Sequence, residues 1–150
     1  MSDSVAGSGL RVTSKRFEQL TTTELHEILR LRSEVFVVEQ RCVYADVDGR
    51  DVDPETTHHW LQRGGELAAY ARVLREQGPW RIGRVVTAPP HRGAGLAAAL
   101  ITYLRDTLAG PIALDAQTHL VGWYERLGFS VSGVEFIEDG IPHTPMTRGA

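Results

Sequence analysis

The spacing of hydrophobic and polar residues predicts a chain in which strands and helices alternate. Alternating or short continuous apolar stretches predict strands at residues 10–17, 58–62, 66–74, 80–87, 112–116, 129–136 and 144–148. Apolar residues three and four positions apart predict helices at residues 22–36, 93–108 and 120–127. Residues 37–54 are predicted to form a loop-rich connection with short helical turns.

Turn and capping residues support these helix boundaries. Thr21 and Glu24 form a capping box before the first helix, and Gly110-Pro111 ends the second. Gly128 follows the third helix, where a glycine cap is expected. The predicted element order is therefore β-α-β-β-β-α-β-α-β-β.

Composition predicts a single globular domain at residues 10–150, preceded by a disordered tail at residues 1–9. The chain has 150 residues, of which 42% are hydrophobic and 23% charged. The net charge of −3 gives no general attraction to nucleic acid, and no apolar run is long enough to span a membrane. Cys42 is the only cysteine, which excludes an internal disulfide and favours a reducing, cytoplasmic location.

Residues 84–100 carry the most specific chemical signal. A buried strand is followed by Pro89-Pro90, a basic glycine-rich turn and the start of a helix. Gly93 and Gly95 allow a tight turn and a close approach of the backbone to a ligand. Because the first N–H groups of a helix lack intrahelical partners, this arrangement is typical of a phosphate site, with the charge of Arg92 at its mouth.

Two kinds of phosphate ligand fit this turn. Residues 93–98 match the dinucleotide fingerprint G-x-G-x-x-A, and Asp115 lies near the position of a ribose-binding acid. However, residues 88–92 separate the glycines from the strand, and too little chain follows Asp115 to complete a dinucleotide fold. No Gly-Lys-Ser/Thr sequence indicates a P-loop.

The second interpretation is a resemblance to the GNAT N-acetyltransferase family. Arg92-x-x-Gly95-x-Ala97, placed after Val85-Val86-Thr87, resembles the pyrophosphate loop of that family. Residues 117–129 resemble its Asn-x-x-Ala-x-x-x-Tyr-x-x-x-Gly-Phe segment, with Gln117 in place of the asparagine and Tyr124 at the tyrosine position. Residues 31–42, 44–51, 83–86 and 138–143 resemble the ElaA-like branch, and the likeness runs from about Glu24 to Arg148.

This resemblance implies an α/β fold and a particular cofactor site. The expected sheet is mixed, mostly antiparallel, flanked by helices and splayed between the strands at 80–87 and 112–116. Acetyl-CoA is expected as co-substrate, without a metal. The residues expected to bind it are Val85, Val86, Thr87, Arg92, Gly93, Ala94, Gly95, Leu96, Ala97, Gln117 and Tyr124.

The same resemblance suggests catalytic groups. Tyr124 is the expected general acid, because a phenol keeps its proton at neutral pH and can protonate a departing thiolate; the alternative is an aromatic side chain packed in the core. The candidate bases are His59, His119 and Glu34, with Glu39 and His143 also considered. Each histidine also has a purely structural interpretation.

The expected reaction is direct transfer of an acetyl group to a primary amine of a small molecule or a protein. An acidic run could attract a cationic amine or form a solvated loop; its members are Asp46, Asp48, Asp51, Asp53 and Glu55. Two alternatives are a non-catalytic acyl-CoA-binding module and an enzyme like the acyl-homoserine-lactone synthases, which share the Val-Phe-x-x-Glu-Gln motif in part. Whether the chain forms a homodimer stays open.

Overall fold

A computed structural model describes residues 2–6 and 10–149. Its strands are β1 (Ser2–Ala6), β2 (Leu10–Arg16), β3 (Thr57–Arg63), β4 (Glu66–Arg75), β5 (Trp80–Thr87), β6 (Ile112–Gln117), β7 (Ser130–Val131), β8 (Phe136–Glu138) and β9 (Ile141–Arg148). Its α-helices are α1 (Thr22–Arg32), α2 (Leu96–Thr107) and α3 (Val121–Arg126). A π-helical segment, Ser33–Glu39, continues α1.

The strands form one sheet in the order β1-β2-β3-β4-β5-β6-β9-β7, with β8 paired to β9. Every pair is antiparallel except β5 and β6. β5 and β6 pair only at Trp80–Ile112 and Arg81–Ala113, so they separate beyond that point. The expected mixed, mostly antiparallel sheet, splayed at its centre, is confirmed.

Successive side chains of a strand point to opposite faces of the sheet, and helices cover both faces. Ala69, Ala71 and Val73 of β4 pack in a core cluster with Leu100 and Leu104 of α2. Tyr70, on the opposite face, packs in a second cluster with Ile28 and Leu31 of α1. This period of two fixes α1 and α2 on opposite sides of the strands that build the cleft.

Three boundaries differ from the sequence prediction. The first helix was expected to be regular to Phe36, but its last part is a π-helix, in which the Gln40 N–H donates to the Val35 carbonyl five residues back. The second helix begins at Leu96 rather than Gly93, because Gly93 and Gly95 have left-handed φ angles of +86° and +73°. Ser2–Ala6 pair with β2 where a disordered tail was expected, and the rest of that tail lies outside the described residues.

The strand expected at residues 129–136 is divided into β7 and β8. Gly133 lies against the ring of Pro145 in β9, and the Ser132 N–H donates to the Pro145 carbonyl. Pro145 has no N–H to donate in return, so a continuous ladder cannot form here. β9 in turn begins three residues earlier than the expected strand, at Ile141.

Candidate active site

The separation of β5 from β6 opens a cleft of about 1320 Å³. Its walls come from β5 and β6, the π-helical segment, the turn before α2, α3 and the β8–β9 hairpin. This volume exceeds the 300–1,000 Å³ that is typical of small-molecule sites. The cleft is therefore larger than a typical pocket for one small ligand.

The turn before α2 presents unpaired backbone donors. Pro89–His91 form one 3₁₀ turn, Gly95 is the N-terminal cap of α2, and Leu96 is its first residue. Among the described residues, none accepts a hydrogen bond from the N–H groups of residues 93–97. Because these donors lie at the N-terminus of a 12-residue helix, they suit a phosphate group.

The left-handed turn explains why both glycines are needed. A Cβ built at Gly93 or Gly95 meets no atom within 4 Å, so the space around them is open. Their φ angles, however, are ones that other residues adopt at a cost. The Leu96 side chain is buried in the core, which leaves only its backbone for a ligand.

Arg92 is not the free charge that the sequence suggested. Its Nη1 and Nη2 each donate to Glu39 at 2.7 Å, and its Nε lies 3.4 Å from the Thr87 carbonyl. The hydrogen bond from Arg92 lowers the pKa of the Glu39 carboxyl. The Arg92 guanidinium that was expected to face a phosphate is therefore paired with Glu39. The two residues are 53 positions apart, so no local sequence pattern indicates this pair.

The middle of β5 turns an edge towards the cleft. Three steps along β5, from Gly83 to Val86, match two steps along β4, from Arg72 to Tyr70, so β5 carries a bulge. Arg84 in this bulge has a φ of +53°. Beyond Arg81 no β6 residue pairs with β5, and Val85, Val86 and Thr87 all line the cleft.

Tyr124 lies in α3 with its ring packed and its hydroxyl unpaired. It is 6% exposed, and its ring meets Trp123 and Phe129 edge-on, at centroid distances of 4.8 and 6.0 Å. Burial raises the pKa of Tyr124 to about 12. Among the described residues the Tyr124 hydroxyl has no hydrogen-bond partner, although the residue lines the cleft.

Gln117 also faces the cleft. Its Nε2 lies 3.4 Å from Oε1 of Gln40, at the end of the π-helical segment. Both residues line the cavity, so the amide groups bridge its two walls. Gln117 thus retains an amide at the position where the resembled motif has asparagine.

The structure separates the three candidate bases. His119 is exposed and lines the cleft. His59 points elsewhere: its nitrogens pair with Ser14 and Thr57 at 2.7 Å, and burial lowers its pKa to about 3. Glu34 pairs with Arg30 and lines a different cavity, beside α1. The side chains of His58 and His59 point to opposite faces of β3, and both are buried. His59 therefore has a structural role and does not line the cleft.

His143 reaches the cleft from β9. It lies directly opposite Gln117 of β6, and both residues line the cavity. Its Nδ1 is 2.8 Å from the Ile141 carbonyl, and its ring stacks on Phe136 at 5.7 Å. The Ile-Pro-His sequence singled this residue out, but only the strand register shows which face it occupies.

The acidic run is largely neutralised inside the protein. Asp46 and Asp51 bind the fully buried Arg32, Asp48 binds Arg72, and Arg84 lies against both Asp46 and Asp48. Burial alone would raise the pKa of Asp51, but hydrogen bonds and charge from Arg32 and Arg72 outweigh it and lower that pKa. These three carboxylates are structural ion-pair partners rather than a free acidic rim.

Cys42 is a buried thiol within this wall of the cleft. Its Sγ donates to the Asp139 carbonyl at 3.1 Å, which ties the segment after the π-helix to the β8–β9 turn. Over the described ranges, no three His, Cys, Asp or Glu side chains are grouped to hold a metal ion. Nor does any helix in residues 10–149 have the length and apolar character needed to cross a membrane.

Comparison with known proteins agrees with this geometry. The family described as "Acetyltransferase (GNAT) domain" matches residues 19–149. Protein ElaA of Escherichia coli K12 is 37% identical over 138 residues, which cover 87% of this chain and 90% of ElaA.

Two solved structures share the whole fold. An acyl-CoA N-acyltransferase from Pseudomonas aeruginosa is 42% identical, and the crystal structure of Escherichia coli ElaA is 33% identical. Each alignment has a TM-score of 0.84 and covers 93% of this chain and 99% of the other. With these similarities and its splayed sheet, the chain belongs to the ElaA-like branch of the GNAT acetyltransferase family.

Proposed function

We propose that this protein transfers the acetyl group of acetyl-CoA to a primary amine of a small molecule or a protein. One observation carries the proposal: the cleft that contains the open edge of β5 and the Tyr124 residue extends to Ala97, in the first turn of α2, next to the unpaired amides of residues 93–97. Each of these features suits one part of the co-substrate.

The binding roles follow from the donors on each wall. The N–H groups of residues 93–97 hold the diphosphate, and Arg92 joins them once it leaves Glu39. The edge of β5 at residues 85–87 pairs with the amides of the pantetheine arm, as a sheet edge pairs with a peptide. The amide of Gln117 reaches the same arm from the opposite wall.

The chemistry is direct attack within a ternary complex. The amine nitrogen bonds to the thioester carbon while a backbone N–H near Val86 stabilises the oxyanion. The carbon–sulfur bond then breaks, and the Tyr124 hydroxyl gives its proton to the departing thiolate. The proton lost by the amine goes to a base in the cleft, where His119 and His143 are the histidines present among the described residues.

The test combines turnover with product identification. The protein is incubated with acetyl-CoA and a panel of primary amines, and separately with a cell extract, and free thiol and acylated products are followed by mass spectrometry. Amine-dependent thiol release with an acetylated product is expected.

Three results would overturn the proposal. Calorimetric binding of CoA without turnover of any amine would make the protein a binding module. Absence of CoA binding would remove the cofactor site. Faster turnover of hexanoyl-CoA than of acetyl-CoA would replace the acetyl group by a longer acyl group.

A further inference from the structure

We propose that His143 is the general base that accepts the proton of the acceptor amine, a role that rests on the acetyl transfer proposed above. In the β6–β9 pair His143 lies opposite Gln117, and residues opposite each other in an antiparallel pair project to the same face. That face is the cleft, on which Gln117, Asp115 and His143 are all lining residues.

A hydrogen bond fixes the tautomer of the His143 ring. Nδ1 lies 2.8 Å from the Ile141 carbonyl oxygen, which can only accept, so Nδ1 must carry the proton and donate it. In the neutral ring Nε2 is then the unprotonated nitrogen. A base needs this form, with a lone pair available and the other nitrogen held by a fixed partner.

Stacking holds the orientation of the ring. Phe136 of β8 is paired with His143 across the strands, and the two rings lie 21° from parallel at 5.7 Å. The Ile141 carbonyl and the Phe136 ring together restrict the side chain on two sides. His143 is half-buried, so it keeps access to the cavity.

The other candidate bases lack this combination. Among the described residues, His119 has no hydrogen-bond partner that would select a tautomer. Glu39 is bound by Arg92, and Cys42 donates to the Asp139 carbonyl. His59 and Glu34 lie outside the cleft.

Charged and titratable groups line the same cleft as His143 from several elements. On its own sheet they come from β4, β5, β6 and from β8 with its turn, and β7 presents none; the others come from the π-helical segment, the residues after it, the turn before α2, the residues before α3, and α3. They are Arg72, Arg81, Arg84, Asp115, Glu138, Asp139, Glu39, Cys42, Tyr44, Asp48, Arg92, His119 and Tyr124.

In the proposed step His143 acts on the acceptor amine and Tyr124 acts on the departing thiolate. The ammonium form of the acceptor gives one proton to His143 Nε2, and the free amine attacks the thioester carbon. The thiolate released by the broken carbon–sulfur bond takes the Tyr124 proton. The second proton of the amine nitrogen, lost as the amide forms, returns through solvent to the Tyr124 phenolate. His143 then loses its proton to solvent, which restores the neutral ring.

The experiment measures kcat/KM of wild type, His143→Gln and His119→Gln from pH 5.5 to 9. Wild-type kcat/KM should fall on acidification, because a general base works only in its unprotonated form. His143→Gln should lose roughly 10²-fold in kcat/KM, because positioned bases contribute a factor of about 10²–10⁴ to the rate. The variant should also lose this fall in kcat/KM at low pH, the acid limb of the pH profile. His119→Gln removes the other histidine of the same cleft and should keep the acid limb.

Two further measurements make the result decisive. CoA affinity of His143→Gln by calorimetry should stay within about twofold of wild type, which separates proton transfer from cofactor binding. Nitrogen-15 NMR of the wild-type ring should show the proton on Nδ1, and a proton on Nε2 of the neutral ring would overturn the proposal without any variant.

The kinetic outcomes also separate this role from the proposed function. Wild-type turnover with an acid limb that persists in His143→Gln would overturn the role of His143 alone. An acid limb that disappears in His119→Gln would move the role to His119. A wild type without turnover of any amine would overturn the acetyl transfer itself.

Discussion

Tyr124 combines a tightly packed ring with a hydroxyl that has no hydrogen-bond partner in residues 10–149. Replacement by phenylalanine preserves the edge-on contacts with Trp123 and Phe129 and removes only the proton donor. We expect Tyr124→Phe to lower kcat roughly 10²-fold with little change in KM or Tm, because the lost group acts on the leaving thiolate.

The pH dependence of kcat gives a second test of Tyr124. Burial raises its pKa to about 12, so the wild-type hydroxyl stays protonated and its contribution should be constant up to about pH 10. Equal turnover in Tyr124→Phe, or a loss of wild-type activity near pH 9 that is absent from the variant, would contradict the role as acid.

In the proposed complex, Glu39 competes with the diphosphate for Arg92. We expect Glu39→Gln to bind CoA about two- to fivefold more tightly at low salt, because the guanidinium is released and a negative charge leaves the site. The gain should shrink as salt is added. Calorimetry at two salt concentrations measures it.

Glu34→Gln is the matched control for this prediction. It removes the same charge from an exposed ion pair of the same π-helical segment, but from the side that lines the other cavity. CoA affinity should be unchanged. Weaker binding in Glu39→Gln, or equal gains in both variants, would show that the Arg92–Glu39 pair does not oppose the cofactor.

At this scale the sequence predicted the local position of the site residues better than their pairing. Gly93, Gly95 and Tyr124 stand where their local motifs predict them, because a turn and a helix are short-range structures. The partners of Arg92 and Arg32 are 53 and 14 to 19 residues away. Such pairs depend on how the elements pack, which no local pattern contains.

Among the elements, the turn before α2 links backbone conformation to binding. We expect Gly95→Ala to cost about 1 kcal/mol of unfolding free energy, because its φ of +73° is strained for alanine. CoA affinity should also fall about tenfold, since the new methyl group enters open space beside the free amides. Urea unfolding and calorimetry measure the two effects.

Gly65→Ala provides the control for this turn. Gly65 has a φ of +80° in the β3–β4 turn, also with no atom within 4 Å of a built Cβ, and it does not line the cleft. Its stability loss should be similar, with CoA affinity unchanged. Parallel losses of affinity in both variants would mean that the Gly95 effect is one of stability only.

Most elements could be predicted from hydrophobic periodicity, and β5 agreed with the expected range in full. The predicted starts and ends of the helices were less accurate. Hydrophobic periodicity contains no information on a glycine with a left-handed φ, or on a change from i→i−4 to i→i−5 backbone hydrogen bonds. The end of α1 shows this: residues 33–36 keep the apolar spacing of a helix although the backbone has become π-helical.

At the scale of the whole molecule, His59 should make stability fall in acid. The folded protein protonates His59 only near pH 3, whereas the unfolded chain does so near pH 6.5, so the unfolded state binds more protons between these values. Burial lowers the pKa of His58 as well. The unfolding free energy should therefore decrease as the pH falls below about 6.5, with His59 contributing about 1.4 kcal/mol per pH unit.

Urea unfolding of wild type, His59→Gln and His26→Gln at pH 7, 6 and 5 checks this expectation. His59→Gln should be less stable at pH 7 but should depend less on pH. His26 is exposed, so its variant should keep the wild-type slope. A slope that survives in His59→Gln would assign the acid sensitivity to other groups.

Asp48 and Asp51 act in a lower pH range. Burial would raise the pKa of each carboxyl, but the neighbouring arginines lower both. Their stabilisation is thus complete above the usual aspartate pKa near 4 and is lost only as the pH falls further.

The arginine–aspartate network in the wall of the cleft also constrains how this protein can diverge. Arg32, Arg72 and Arg84 balance Asp46, Asp48 and Asp51. Removing one of the buried members, Arg32, Arg72, Asp46 or Asp51, leaves a buried charge without its partner at a cost of about 3–5 kcal/mol. Only coordinated replacement of several members avoids that intermediate. Descendants that acquire new acceptors should therefore change first in the β8–β9 hairpin and at the edge of the cleft, while the arginine–aspartate network stays unchanged.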